Sequence, residues 1–405
     1  MQRNESGTSA AFAKCGSPSL GLYPTTASVN DPRHIIGDGG AKPDHEPPQE
    51  LTEKDLVALY KSLVVLRTFD ERAVALQRQG RLGTYALYWG EEATQAGPLY
   101  ACDDSDWVFP TYRQNSIGIL RGVKAATILS WWRGYGGAHG FYDIREHRVA
   151  PICVPIATHL PHAVGLSWAA KKRQDGICAL TWMGDGATSE GDWHEAMNFA
   201  SVFKTPTVLF CVNNQWAIST PVSRQTATAT LVEKRAAYNM PGLRVDGFDV
   251  LACWKATKDA VERARSGGGP TFIEAVCYRI GAHGTADDPR LYRDEAESER
   301  YREKEPIGRY RGYLQRLGVL EDDQAREIQE DAKEDIAAAV AEMEALDYPG
   351  EQILFDYVYA SGRTPTLQAG LEELQSVARR PEVKPPGPQP GPSAGDAEAP
   401  QEEGP

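Results

Sequence analysis

The sequence has no CxxC pair, no excess of basic residues and no apolar run long enough to cross a bilayer. The longest apolar runs, at 177–183 and 207–212, suit buried strands instead, so no membrane span is predicted. With 56 Asp and Glu against 43 Lys and Arg, the net charge of -13 gives no broad electrostatic footprint for a polyanion, which argues against nucleic acid as the main partner. Seven cysteines, at Cys15, Cys102, Cys153, Cys178, Cys211, Cys253 and Cys277, lie far apart and are odd in number. That pattern fits reduced, mostly buried thiols better than a disulfide framework. The first residues show neither the basic-then-apolar order of a secretory signal nor the Arg-rich helix of a transit peptide, and the cytoplasm is expected.

What is present suffices for a sizeable core: 405 residues, 41% of them hydrophobic. Residues 1–50 are rich in Ser, Thr, Gly and Pro without periodicity, and 381–405 hold eight prolines with several acids. The composition predicts a disordered arm over 1–50 and, over 363–405, a helix followed by a disordered tail. The working domain is expected at 51–362. It opens with apolar positions at Leu56, Leu59, Tyr60, Leu63, Val64 and Leu66 behind Thr52 and Asp55, a helix with its capping box. Its middle alternates apolar runs at 177–183, 206–212 and 271–277 with helical patterns near 190–203, 229–238 and 253–266. This βαβ rhythm predicts an α/β fold, a mainly parallel sheet flanked by helices on both faces, with helical N- and C-terminal additions. The pattern over 295–346 is charged and helical and reads as packing elements.

Two motifs follow successive apolar runs. Gly184-Asp185-Gly186 follows Thr181-Trp182-Met183, and Asn213-Asn214 follows Phe210-Cys211-Val212. In a parallel sheet the carboxyl ends of the strands point one way and ligands settle just outside them, so both motifs face one site. Asp185 offers a carboxylate, Asn214 an amide oxygen and the loop at Gln215-Trp216 a backbone carbonyl. These hard oxygen donors suit Mg²⁺, which fills its remaining positions with phosphate oxygens and water, and a phosphorylated ligand follows. Gly184 and Gly186 let the backbone approach that ligand closely. A second triplet, Gly37-Asp38-Gly39, has no strand before it and reads as a decoy turn.

With Gly184-Asp185-Gly186-Ala187-Thr188-Ser189-Glu190-Gly191-Asp192 and Asn213-Asn214-Gln215-Trp216-Ala217-Ile218-Ser219-Thr220-Pro221, the chain resembles the α chain of the thiamine-diphosphate-dependent 2-oxo acid dehydrogenase family over roughly 55–360. The resemblance implies the diphosphate-binding type of that family's fold, with Asp185, Asn214 and the Trp216 carbonyl on Mg²⁺. It implies that Tyr112 and Arg113, in Phe109-Pro110-Thr111-Tyr112-Arg113, contact cofactor phosphate, and that Ile156, in Val154-Pro155-Ile156-Ala157-Thr158, props the bent cofactor. It also implies that Arg279 and His283, in the loop after 271–277, reach the diphosphate and the reacting intermediate. His283 would there donate a hydrogen bond or a proton near neutral pH. His139 aligns loosely with a histidine near the cofactor mouth, while His159 and His162 read as packed or hydrogen-bonded helix residues.

A second α/β domain, which that chemistry needs for the cofactor's pyrimidine, has no room in this sequence. The resemblance therefore implies a separate β subunit in an assembly of two α and two β chains. It also implies a lipoyl acyltransferase as acyl acceptor and a small 2-oxo acid, pyruvate or a branched-chain one such as 3-methyl-2-oxobutanoate, as substrate. Tyr85, Tyr88 and Trp89 are substrate-pocket candidates by position. Three other readings stand beside this one: an acetoin dehydrogenase α chain, a noncatalytic Mg²⁺-binding regulatory subunit, and a Mg²⁺-dependent phosphohydrolase, which leaves the Asn213-Asn214 and His283 segments unexplained.

Overall fold

The computed structural model describes residues 29–38, 44–136 and 139–378. Residues 1–28 of the expected arm, with Cys15, and the tail at 379–405 lie outside the described residues. The first long helix, α1 (Glu53–Arg78), begins where the sequence places it: Thr52 Oγ1 accepts from Asp55 N–H, and Asp55 returns a carboxylate to Thr52 N–H. Its buried stripe includes Leu56, Leu59, Tyr60, Leu63, Leu66 and Phe69, and it meets α9 (Pro306–Arg316) and α10 (Asp322–Glu344) from the charged helical region. Shorter helices α2 (Ala93–Tyr100), α3 (Ala125–Ser130) and α4 (Ile144–His147) complete the part before residue 150.

The sheet has five parallel strands in the order β1-β2-β3-β7-β6: β1 (Trp107–Phe109), β2 (Ala179–Gly184), β3 (Thr207–Asn213), β6 (Gly242–Asp246) and β7 (Thr271–Val276). Two residues each in β4 (Trp216–Ala217) and β5 (Thr220–Pro221) make a small antiparallel hairpin. Side chains alternate between faces as a pleat requires. Leu180, Trp182, Val208, Phe210 and Ile273 pack with α7 (Val250–Arg263), while Met183, Leu209, Cys211 and Phe272 pack with α5 (His159–Arg173) and α6 (Gly191–Phe203). Helices thus cover both faces, as the βαβ rhythm predicts.

Crossovers through α5 and α6 carry the chain from β1 to β2 to β3. The chain then passes to the edge at β6 and returns through α7 to β7 beside β3. The strand order therefore reverses between β3 and β7, and the crevice at the carboxyl ends there is the natural ligand position of such a sheet.

Sequence and structure differ in three places. β1 and β6 are unread because three and five residues carry too little periodicity to stand out. The segment at 231–238 winds as a 3₁₀ helix, Leu231–Tyr238. Residues 29–38 and 44–50, read as loose from their composition, are pinned to the fold: Arg33 bridges Val245 in parallel, and the Ile35 and Ile36 N–H groups donate to Asp249 Oδ2 at 2.5 and 2.7 Å. Two isoleucines and a free strand edge outweigh the polar composition around them.

Among the described residues no helix is long and apolar enough to cross a membrane, and the six described cysteines are free thiols. The first compact unit ends at Leu346; a second unit holds α11 (Ile353–Asp356) and α12 (Pro365–Ala378), so the expected boundary at 362 falls within the latter.

Candidate active site

At the tip of β2, Asp185 leaves the sheet and opens a 3₁₀ turn, Gly186–Ser189. Its carboxylate is buried and accepts from Gln225 Nε2 at 2.6 Å. Burial pushes its pKa up to about 6, opposed by the Gln225 hydrogen bond and by the charges of Arg279 and Arg113.

At the tip of β3 the two asparagines divide their work. Asn213 turns into the sheet and donates to Glu274 Oε1 at 2.7 Å. Asn214 donates from Nδ2 to Glu91 Oε1 at 2.7 Å, while its Oδ1 accepts the Trp216 N–H at 3.2 Å. The chain then doubles back through Gln215 and Ile218, both at positive φ (74° and 55°), a conformation that costs non-glycine residues free energy and persists where the surroundings enforce it. Arg279 supplies that enforcement. Its Nη1 donates to Trp216 O at 3.1 Å, and its Nη2 donates to Ile218 O and Tyr292 Oη, each at 2.7 Å.

Facing these tips, Arg113 follows β1. It donates to Leu87 O and, from Nη2, to His283 Nδ1 at 3.0 Å and His283 O at 3.1 Å. A guanidinium only donates, so Nδ1 is the acceptor and a neutral His283 ring carries its proton on Nε2. Burial, followed by the charges of Arg113 and Arg279, lowers the His283 pKa to about 4. Near neutral pH this imidazole is uncharged in the chain by itself and offers a hydrogen bond, the first of the two roles the sequence suggests for it.

A cleft of about 160 Å³ brings these groups together. Tyr112, Arg113, Ile156, Gly184, Asp185, Gly186, Asn214, Trp216 and His283 all line it. Arg279 does not; it is buried behind Trp216 and acts through the loop it braces. Tyr85 and Tyr88 are also absent from the lining. They are buried around Asp70, where the Tyr88 N–H donates to Asp70 Oδ1 and its hydroxyl to Leu66 O. Trp89 lies under Arg67 and Arg302. His159 is buried and bonds Trp182 O, as a packed helix residue would, whereas His162 is exposed rather than packed, and His139 contacts Tyr135.

The cleft fits a metal-diphosphate group on its own geometry. A Cβ on Gly184 would meet nothing within 4 Å, although the residue lines the cleft, so the missing side chain leaves a cradle. A Cβ on Gly186 would stand 2.7 Å from Ala217 Cβ, so this glycine lets the β2 turn and the β4 loop touch. Asp185, Asn214 and Trp216, which carry a carboxylate, an amide oxygen and a backbone carbonyl, line the same cleft. No group of three or more His, Cys, Asp or Glu that could hold a metal exists among the described residues.

Sequence reasoning missed Glu91 and Gln225. Gly90 gives the only local signal for Glu91: at φ +93° it lets the backbone pass Ile280, whose Cδ1 would lie 2.8 Å from a Cβ. Gln225 carries no signal, since it reaches Asp185 across 40 residues of sequence.

Comparison with known proteins agrees with this geometry. Residues 60–351 match the family described as dehydrogenase E1 component. The chain is 43% identical over 354 residues to the 3-methyl-2-oxobutanoate dehydrogenase subunit alpha of Mycobacterium tuberculosis (strain ATCC 25618 / H37Rv), covering 86% of this chain and 95% of that protein. It is 37% identical over 326 residues to the pyruvate dehydrogenase E1 component subunit alpha of Staphylococcus aureus (strain COL), covering 80% and 88%.

Proposed function

The chain belongs to the dehydrogenase E1 component family as the α subunit of a thiamine-diphosphate-dependent 2-oxo acid dehydrogenase, and we propose that the strand-tip cleft is where it holds the cofactor. The observation that carries this reading is that Asp185, Asn214 and Trp216 line one cleft with the open position at Gly184. Asp185, Asn214 Oδ1 and the Trp216 carbonyl would hold Mg²⁺, whose preference for oxygen ligands matches all three. Bound thiamine diphosphate supplies the nucleophilic carbon and the electron sink that decarboxylation of a 2-oxo acid requires.

The chain's own residues bind and orient. Arg113 and Tyr112 face the phosphates, with the guanidinium fixed by Leu87 O and His283. His283 presents Nε2–H as a neutral donor. Ile156, 42% exposed at the cleft wall, is the apolar prop, and Arg279 keeps the Trp216 carbonyl in place.

As an E1 α subunit the chain works with a β subunit, which completes the site from a second chain in an assembly of two α and two β chains; the single parallel sheet among the described residues is consistent with that. The acyl group passes to a lipoyl acyltransferase. The substrate is pyruvate or a branched-chain 2-oxo acid such as 3-methyl-2-oxobutanoate, residues 51–362 form the working domain, and the protein works in the cytoplasm, a reading with which its free thiols agree. Coexpression with the β subunit and an assay of 2-oxo acid-dependent dye reduction test this. Turnover requires both chains and thiamine diphosphate, and turnover by the α chain alone contradicts the shared site.

A further inference from the structure

Glu91 lines the cleft and is fully buried, yet it belongs neither to the oxygen triad nor to the phosphate-facing pair. A carboxylate removed from water is costly unless it is well partnered. Here Oε1 accepts from Asn214 Nδ2 at 2.7 Å with Arg113 Nε 3.9 Å away, while Oε2 is buried without a hydrogen-bond partner. The neighbouring acid behaves differently: Glu92 pairs with Arg67 at 2.6 Å and accepts the Gly90 N–H.

The bond to Asn214 has a direction. A primary amide has one donating and one accepting end, and Glu91 Oε1 is the acceptor here, so Nδ2 is the end turned toward Glu91. The amide oxygen is thereby turned away from Glu91, to the side where the Trp216 N–H already meets it. Rotated by half a turn, the same amide would offer a cation its NH₂ group. Asn213 makes the equivalent bond to Glu274, but its oxygen already accepts two bonds from Gln215, the backbone N–H at 3.3 Å and Nε2 at 3.0 Å, where Asn214 Oδ1 accepts one, and its Nδ2 staples β3 to β7.

We propose that Glu91 is a positioning residue that holds the Asn214 amide in the one sense that presents its oxygen to a divalent cation. Glu91 does not ligate the ion. The inference rests on the magnesium reading of Asp185, Asn214 and Trp216.

The test is Mn²⁺ titration of the assembled α/β complex with thiamine diphosphate, read from the electron paramagnetic resonance signal of free Mn²⁺. Losing a partner that orients a metal ligand typically weakens metal binding roughly 10–100-fold, and E91A is expected within that range. E91Q keeps an accepting oxygen and binds Mn²⁺ as the wild type does. The double variant E91A/N214A binds no more weakly than N214A, because Glu91 acts through Asn214. The melting temperature of the metal-free complex stays unchanged in E91Q. E91M, which fills the space without an acceptor, repeats the loss if E91A fails to assemble; if neither assembles, Glu91 is a staple like Glu274 and the proposal is overturned. Wild-type Mn²⁺ affinity in E91A, with D185A abolishing uptake, also overturns it. Wild-type uptake in D185A instead removes the magnesium reading on which it rests.

Discussion

Separate replacement of Gly184 and Gly186 by alanine distinguishes the two tasks that the β2 turn performs. A methyl group at Gly186 would lie 2.7 Å from Ala217 Cβ, well inside the 3.4 Å at which ordinary contact begins. Ala217 has little freedom to retreat. It is paired with Thr220 in the β4–β5 hairpin, and Arg279 grips the carbonyls on either side of it. Overpacking of this kind costs roughly 1–3 kcal/mol, so G186A should lose that much stability and displace the Trp216 carbonyl. Gly184 lacks such a neighbour, and its φ is not positive. G184A should therefore fold as well as the wild type or gain about 0.4–1 kcal/mol through the unfolded chain. Its methyl group, however, stands in the cradle, and cofactor affinity should fall at least about tenfold, or ~1.4 kcal/mol. The assay pairs urea unfolding of the cofactor-free α/β complex with thiamine diphosphate binding followed by tryptophan fluorescence. Wild-type cofactor affinity in G184A, or wild-type stability in G186A, would refute the reasoning.

Three further outcomes follow from buried charge. Burial, with the charge of Glu92 adding to it, pushes Asp70 up to about 8, so the folded chain keeps a proton that the unfolded chain loses above roughly pH 4. Its contribution to stability is therefore complete at low pH and falls as pH rises toward about 8, by up to ~1.4 kcal/mol per unit. D70N, whose amide oxygen still accepts the Tyr88 N–H, should remove that slope from urea midpoints measured at several pH values; equal slopes in both proteins contradict it. In the cofactor-free complex a ¹³C label at His283 Cε1 should show no titration near the ordinary histidine value of about 6.5, since burial, aided by the charge of Arg113, holds the ring neutral down to about 4. D249A strips the acceptor from the N–H groups of Ile35, Ile36, Leu251 and Ala252, leaving buried donors that typically cost about 1–3 kcal/mol each. Faster proteolytic cleavage within 29–50 than in the wild type is the expected sign, and unchanged cleavage would show that the arm is held by other contacts.

The parts of this molecule legible in sequence are those whose partners are local or repeat along the chain. Asp185 and Asn214 could be placed because each follows an apolar run, and the parallel order of those runs brings their ends together. Ile156, Tyr112, Arg113 and His283 entered by resemblance, and the structure lines one cleft with all four. Arg279 came by the same route but works differently, because its reach is taken up by two carbonyls more than sixty residues away. Glu91 was invisible for a related reason: in the run Gly90-Glu91-Glu92 both acids look like the polar start of a helix, and only the approach of Asn214, 123 residues on, separates their roles. Tyr85 and Tyr88 show the opposite error, since aromatic residues near a site suggest a pocket wall until their burial around Asp70 is seen.

The most direct test is calorimetric titration of the two-chain complex with thiamine diphosphate, with and without Mg²⁺, for the wild type and D185A. Saturable heat in the wild type that needs Mg²⁺ and disappears in D185A is the predicted result. Equal uptake without Mg²⁺, or in D185A, would contradict a metal held at the tips of β2 and β3.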